Sequence, residues 1–375
     1  PPLTPVYIPD RVTTIGVWSC FCCSRLTTAT IPASVTTIGD GAFYFCESLT
    51  SVTIPASVTF IGDGAFYGCE SLTDITVDAE NSAYASLDGV LFNKDQTELI
   101  CCPGGKSGEY VVPASVITIA AYAFYECAGL TSVTIGSGVT TIGDYAFYGC
   151  ESLTDITVDG ENSVYASLDG VLFNKDQTEL ICCPVGKTGE YVIPDSVTTI
   201  GEFAFDGCEN LTSVVIGSGV TTITDSAFWY CTGLTSLVIG SGVTTIGDYA
   251  FEGCKGLTDV YYVGAEEDWA AIDIGSGNSY LTNAAIHFCT VTVTEPTCTD
   301  DGTITYICTE DGDSYTVIIS AAGHQYENGV CTVCGAKEPG AGGAGWHSPE
   351  RLSHVLFHMM DRFLTMWSNL FSKVW

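Results

Sequence analysis

The chain repeats itself every 23 residues, and that period decides what it can fold into. The segment LTSVTIPASVTFIGDGAFYGCES, residues 49–71, aligns with its neighbours without gaps. An Ala-Phe-x-x-Cys anchor recurs at Phe43/Cys46, Phe66/Cys69, Phe124/Cys127, Phe147/Cys150, Phe205/Cys208, Phe228/Cys231 and Phe251/Cys254. A first, degenerate copy carries Cys20 and Cys23. Within a unit, the alternation from Leu49 to Ile54 predicts a short strand with one buried face. Pro55 ends it, because proline donates no ladder hydrogen bond. Gly62 and Asp63 make a turn, and residues 65–69 are expected to form one helical turn. No such unit closes a core alone. Stacked units do, each large apolar side chain contributing about 1.5–3 kcal/mol before entropy is subtracted. The repeat cysteines then form an inward ladder of small buried residues.

Two anchor spacings are 58 residues instead of 23, so 35 residues are inserted in each. The inserts are near-copies offset by 81, DAENSAYASLDGVLFNKDQTELICCPGGKSGEY and DGENSVYASLDGVLFNKDQTELICCPVGKTGEY. Residues 90–93 and 98–101 are strand-like and 94–97 turn-like, which predicts that each insert, about 78–110 and 159–191, adds a β-hairpin to the solenoid. GKS and GKT end a nucleotide-binding loop motif, but such a loop needs glycine six residues before the lysine. Ile100 and Ile181 stand there, and a strand instead of a helix follows. The lysines are read as turn residues. The vicinal pairs Cys101-Cys102 and Cys182-Cys183 lie on strands, so one thiol of each pair is expected to face solvent.

The unit is similar to the leucine-rich repeat pattern L-x-x-L-x-L-x-x-N/C-x-L. Through IPASVTTIGDGAFYFC and IPASVTFIGDGAFYGC it resembles the BspA-like (treponemal-type) leucine-rich repeat proteins of bacterial surfaces, from Pro1 to about Cys289. The resemblance implies a right-handed α+β solenoid of short parallel strands and single helical turns. It also implies a non-enzymatic secreted or cell-surface protein that adheres to host or matrix proteins or glycans. Residues 257–289 depart from the pattern and read as a cap, which a solenoid needs at its open end. The chain opens inside a repeat and its first Met is Met359, so a processed or truncated start is expected.

Charge narrows the partners. Eleven Lys and Arg face 44 Asp and Glu, a formal charge of −33, which repels nucleic acid and disfavours polyphosphates. Two surfaces are candidates for recognition. One is the outward side of the strands: Ser51 and Thr53, Asp74 and Thr76, Ser132 and Thr134, Asp155 and Thr157, Ser213 and Val215, Ser236 and Val238, Asp259 and Tyr261. All are expected to face solvent, Asp74, Asp155, Asp259 and Tyr261 being its most distinctive members. The other is the aromatic stripe that follows the anchor Phe: Tyr44, Tyr67, Tyr125, Tyr148 and Trp229, able to stack on sugars or anchor a protein. Packing between turns is the competing reading of that stripe. No catalytic constellation emerges.

Residues 290–338 form a small Cys-rich β module. Cys308, His324, Cys331 and Cys334 are candidate ligands for a structural zinc; a disulfide and plain thiols are the alternatives. A Gly-rich linker, 339–346, leads to an amphipathic helix at 347–375. That helix carries three basic and two acidic residues against the acidic remainder, and is expected to touch membrane or a partner. A structural spacer with a zinc module and a membrane-associating helix is therefore the alternative function.

Overall fold

A computed structural model describes residues 6–294, 297–308, 314–319, 323, 326–327 and 330–331. The linker and the expected amphipathic helix lie outside the described residues. Each repeat contributes one longer strand and one two-residue strand, and each pairs in parallel with its copy in the next coil. Val52 faces Ile75 in one sheet and Thr37 faces Phe60 in the other, both 23 residues apart. Between the sheets lie the anchor phenylalanines. Their rings stack at 5.7 Å for Phe43–Phe66, 5.3 Å for Phe124–Phe147 and 4.5 Å for Phe205–Phe228. The Cys ladder is inward as expected, and each thiol donates to a carbonyl one coil back, as Cys69 to Phe43 (3.1 Å) and Cys231 to Phe205 (3.0 Å).

The expected helical turn is absent. Residues 65–67 are flanked by Gly64 and Gly68, both at positive φ, and the same pair of left-handed positions recurs in every coil. Such residues break an i to i−4 ladder. Alternate turn N–H groups instead donate to the next coil, as Phe43 to Ala65 O and Phe45 to Tyr67 O. Among the described residues, helix is confined to Glu266–Ala270 and Ser279–Thr282, within the cap.

The inserts divide the solenoid into three blocks. The longer-strand sheet stops after Asp74–Val77 and resumes at Ser107–Val111. It stops again after Asp155–Val158 and resumes at Gly189–Val192. Each insert is a three-stranded antiparallel meander, Tyr84–Leu87, Val90–Asn93 and Glu98–Cys101 in the first. Its last strand pairs in parallel with Thr118–Ile119 and so doubles as a solenoid strand. The insert also satisfies the edges it interrupts. Tyr84 Oη accepts from Ile61 N (2.8 Å), Ser86 Oγ from Val77 N (2.9 Å) and Gly89 O from Ile75 N. Asn81, 1% exposed, donates to Pro55 O and Val58 O and accepts from Ala83 N and Tyr84 N. Tyr165, Ser167 and Asn162 repeat these bonds in the second insert.

The Cys-Cys-Pro stretch takes the place of the missing anchor. Cys102 N donates to Ala123 O as an anchor Phe would, and Cys127 Sγ donates to Cys102 O. Contrary to expectation, both thiols of the first pair are buried; in the second pair only Cys182 is partly exposed. The coil that replaces an anchor has both faces covered, so alternation along the strand brings neither thiol of the first pair out. Lys106 and Lys187 donate to the carbonyls of Asp88 and Asp169 and close the inserts, as turn lysines.

The cap does not end the sheet. Ala285–Thr294 runs through the expected boundary at 289, pairing in parallel with Asp259–Val263 and antiparallel with Gly302–Cys308. Ser314–Ile319 completes a seven-stranded sheet. That sheet curls over its own face. Tyr315 Oη meets Ser213 Oγ at 2.5 Å and donates to the Glu190 carboxylate, five and six strands away along the sheet order. A second small core fills the curl, with Val215, Val238, Cys289, Tyr306 and Cys308 buried.

Candidate functional site

The aromatic stripe converges into a belt that crosses the first insert. Tyr67 and Tyr125 are 58 residues apart in sequence, yet their rings stack at 5.3 Å; Tyr44 lies 6.4 Å from both. Tyr125 stacks on Tyr148 at 5.4 Å. Tyr44 and Tyr125 share a hydroxyl contact of 3.4 Å, and Tyr67 Oη donates to Ala121 O at 2.9 Å. The insert makes this possible, since it fills the coil space while its own turn carries no aromatic ring. Trp229 joins through Phe203 (6.0 Å), which lies 4.8 Å from Tyr145. Four of these five rings are half-buried and Tyr148 is 38% exposed, so packing between turns and surface presentation coexist.

A second set of rings was not singled out from the sequence. Trp18, Phe45, Tyr122, Tyr145, Phe203, Tyr230 and Tyr249 occupy the left-handed positions, at φ of 54–57°. Equivalent positions in sister coils carry Gly41, Gly64, Gly68, Gly149, Gly207 and Gly253. A bulky residue there is uncommon and costs of order 1 kcal/mol or more. The signal was available in the sequence as the alternation of GDG-Ala-Phe with GDY-Ala-Phe.

Three clefts open along the belt. The largest, about 960 Å³, lies at the first insert between Tyr44, Tyr67, Tyr84, Tyr122, Tyr125 and Glu98. A second, about 650 Å³, is lined by Tyr148, Trp229 and Tyr230 together with Glu70, Glu126, Glu151, Asp206 and Glu209. A third, about 260 Å³, sits at the second insert beside Tyr145, Phe203 and Asp206. No Lys or Arg lines any of them. Glu126 Oε2 and Asp206 Oδ2 are buried without a hydrogen-bond partner. Burial pushes the Asp206 carboxyl up to about 7, and raises Glu126 as well. At the rim, Lys255 sits 6.0 Å over the Tyr230 ring.

The strand-face candidates separate into two environments. Asp74 and Asp155 are exposed, each accepting a neighbouring threonine hydroxyl at 2.7 Å. Asp259 and Tyr261 belong to the curled sheet. Asp259 accepts from Thr258 (2.7 Å) and lies 3.0 Å from His287 Nε2; hydrogen bonds from Thr258 and then His287 hold its carboxyl below the usual range. Tyr261 stacks between His287 (4.9 Å) and Tyr315 (5.3 Å). Ser213, Val215 and Val238 do not face solvent as expected: they are 7%, 2% and 1% exposed, covered by the returning hairpin.

The structure places Cys308 Sγ 2.7 Å from Cys289 and Cys331 Sγ 3.6 Å from Cys298. Cys298 precedes the strand Gly302–Cys308 and Cys308 ends it, so the two candidate ligands face different cysteines. His324 and Cys334 lie outside the described residues. Among the described residues no three His, Cys, Asp or Glu side chains are gathered to hold a metal ion, and no helix is long and apolar enough to cross a membrane.

Comparison with known proteins gives the same reading of the repeats. The family model for the BspA type leucine rich repeat region matches in six copies, over residues 2–94, 106–185 and 182–267. No curated protein matches the chain. Among solved structures, a leucine-rich repeat protein from Eubacterium ventriosum is similar with a TM-score of 0.53 and 28% identity, covering 72% of this chain and 68% of that one. A leucine rich cell surface protein from Faecalibacterium prausnitzii is 32% identical with a TM-score of 0.47; the match covers 71% of this chain but only 61% of that one.

Proposed function

Since the chain belongs to the BspA-type leucine-rich repeat family, we propose that it is a non-enzymatic, secreted or cell-surface adhesion protein that holds a protein or glycan through its aromatic clefts. The aromatic belt carries this reading. Seven bulky rings sit at strained left-handed positions where sister coils use glycine. Strain of this kind collects at functional sites. Tyr and Trp offer a large apolar area with a polar edge, the side chains that dominate binding energy at interfaces and stack on sugar rings. The carboxylates beside the rings and the lack of Lys or Arg favour neutral or basic ligands over anionic ones. Surface location is supported by the cell-surface description of the F. prausnitzii protein.

The test is an immobilised full-length chain screened against extracellular-matrix proteins and glycans at two salt concentrations. Saturable binding that falls at least about tenfold in both Tyr125→Ala and Trp229→Ala, with Thr134→Ala unchanged, is the expected outcome. Binding that survives both aromatic substitutions and falls with Thr134→Ala would move recognition to the strand face.

A further inference from the structure

We propose that Cys289 and Cys308 are joined by a disulfide that fastens the terminal hairpin over the third block. The two residues are direct partners in the antiparallel ladder between Ala285–Thr294 and Gly302–Cys308. Opposed residues in such a ladder have Cα atoms about 4.5–5.5 Å apart, within the span of a disulfide. Their sulfurs approach to 2.7 Å, closer than unbonded sulfur atoms pack. Both residues are 3% exposed, in the small core with Val215, Val238 and Tyr306.

The repeat cysteines make the contrast. Those of the ladder lie on successive coils and give their thiol hydrogens to backbone carbonyls, as Cys150 does to Phe124 and Cys254 to Phe228. Cys289 Sγ also lies 3.3 Å from the His287 carbonyl, but unlike the ladder thiols it has a sulfur opposite it, closer than that carbonyl, and its position belongs to no repeat anchor. Cys289 lies on a strand that pairs with the solenoid's Asp259–Val263 on one side and with Gly302–Cys308 on the other, so a bond from it to Cys308 ties two parts of the fold together.

The oxidant is a disulfide, either oxidised glutathione or a thiol–disulfide oxidoreductase. The thiolate of one cysteine attacks it, and one oxidant sulfur leaves as a thiol. The second cysteine, as thiolate, then displaces the other oxidant sulfur from the mixed disulfide. The protein loses two protons and two electrons, and the oxidant becomes two thiols. Because both sulfurs are buried, exchange takes place while the hairpin is being laid down, and the folded protein then shields the bond from reductants. The bond closes a loop between residues 19 apart and prevents the hairpin from peeling away from the solenoid's last strand.

The full-length chain, made in an oxidising compartment, is denatured without reductant, alkylated and digested at Asp and Glu. Cleavage at carboxylates suits a chain with 11 Lys and Arg, and Glu295, Asp300 and Asp301 put Cys289, Cys298 and Cys308 on separate peptides. The expected result is a linked pair of peptides carrying Cys289 and Cys308, two hydrogens lighter than their sum and separable by reduction. The ladder cysteines are alkylated in the same sample. Cys289→Ser and Cys308→Ser should each release the other thiol and increase the rate of proteolysis within 295–319 about tenfold. Alkylation of both cysteines in the unreduced wild type overturns the proposal, whether or not metal travels with the protein, and so does linkage of either one to a different cysteine.

Discussion

The longer-strand sheet offers the same face in all three blocks, yet it is open in the first two and closed in the third. In the open blocks the second outward position is Thr53, Thr76, Thr134 or Thr157, with an exposed Val111 on the strand that starts the second block; in the closed block it is Val192, Val215, Val238 or Tyr261. The inward residues barely change, with Val52, Ile75, Val133, Ile156, Val214, Leu237 and Val260 all buried. The difference is therefore concentrated at one position in 23, and the exposed Val111 shows that the returning hairpin, together with that residue, closes the face. Threonine keeps a β-branched shape suited to a strand while its hydroxyl meets water. Valine at the same place gains about 1 kcal/mol or more when covered. The clefts of the belt invert this economy: there, bulky rings and unpaired carboxylates are kept where coverage is incomplete.

The strongest way to break the comparison is to place a charge at matched positions. Val238→Asp buries a carboxylate without a partner and should destabilise the hairpin's docking by about 3–5 kcal/mol, or undock it. Thr134→Asp should stay within about 0.5 kcal/mol. Thermal melts with limited proteolysis of residues 295–319 would separate the two. Equal losses would mean that the third block's face is as open as the second's.

Asp206 sharpens the contrast through pH. Its folded-state pKa, about 7, lies above the ordinary carboxylate value. The uncharged acid therefore favours the folded state below about pH 4, and that advantage is lost as pH rises through 7. Asp206→Asn should raise stability at pH 8 by on the order of 2 kcal/mol, after allowance for partial exposure, and leave it unchanged at pH 4. Urea melts at the two values check it. Next in size is Tyr315→Phe, which removes the hydroxyl that bridges Ser213 and Glu190. A cost of about 1–2 kcal/mol is expected in the same melts, and a neutral result would mean that apolar packing alone holds the curl.

The smallest effect has the opposite pH sign. Asp259 is held below its ordinary value by Thr258 and His287, so its contribution is present above the unfolded-state pKa and fades as pH falls through the lowered one. Because the carboxylate is 40% exposed, Asp259→Asn should cost no more than about 0.5 kcal/mol at pH 6, and nothing at pH 2. An effect that grew on acidification would contradict the assigned contacts.

Much of this fold was legible because the period fixed which residues meet. The anchor Phe, the Cys ladder and the insert strands Val90–Asn93 and Glu98–Cys101 follow from alternation and spacing. The turns were misread because Ala-Phe-x-x-Cys suits a helix by composition, whereas the flanking left-handed positions send its N–H groups to the next coil. The closed face was misread for a different reason. Strand alternation shows which side faces the solenoid core, but a distant segment decides what happens to the other side. A clue was present: SVVI and SLVI are near-continuous apolar runs, the mark of a strand covered on both faces, where SVTI and DITV alternate. The belt's convergence across the insert was beyond sequence reasoning, since it depends on the insert replacing one coil of the stack.

The most direct measurement is hydroxyl-radical footprinting of the full-length chain, read residue by residue. Tyr148, Tyr230, Tyr249 and Val111, all exposed, should be readily oxidised, while Val215, Val238, Tyr306 and Cys308 are protected. Oxidation of Val215 and Val238 at the rate of Val111 would contradict the closed third block.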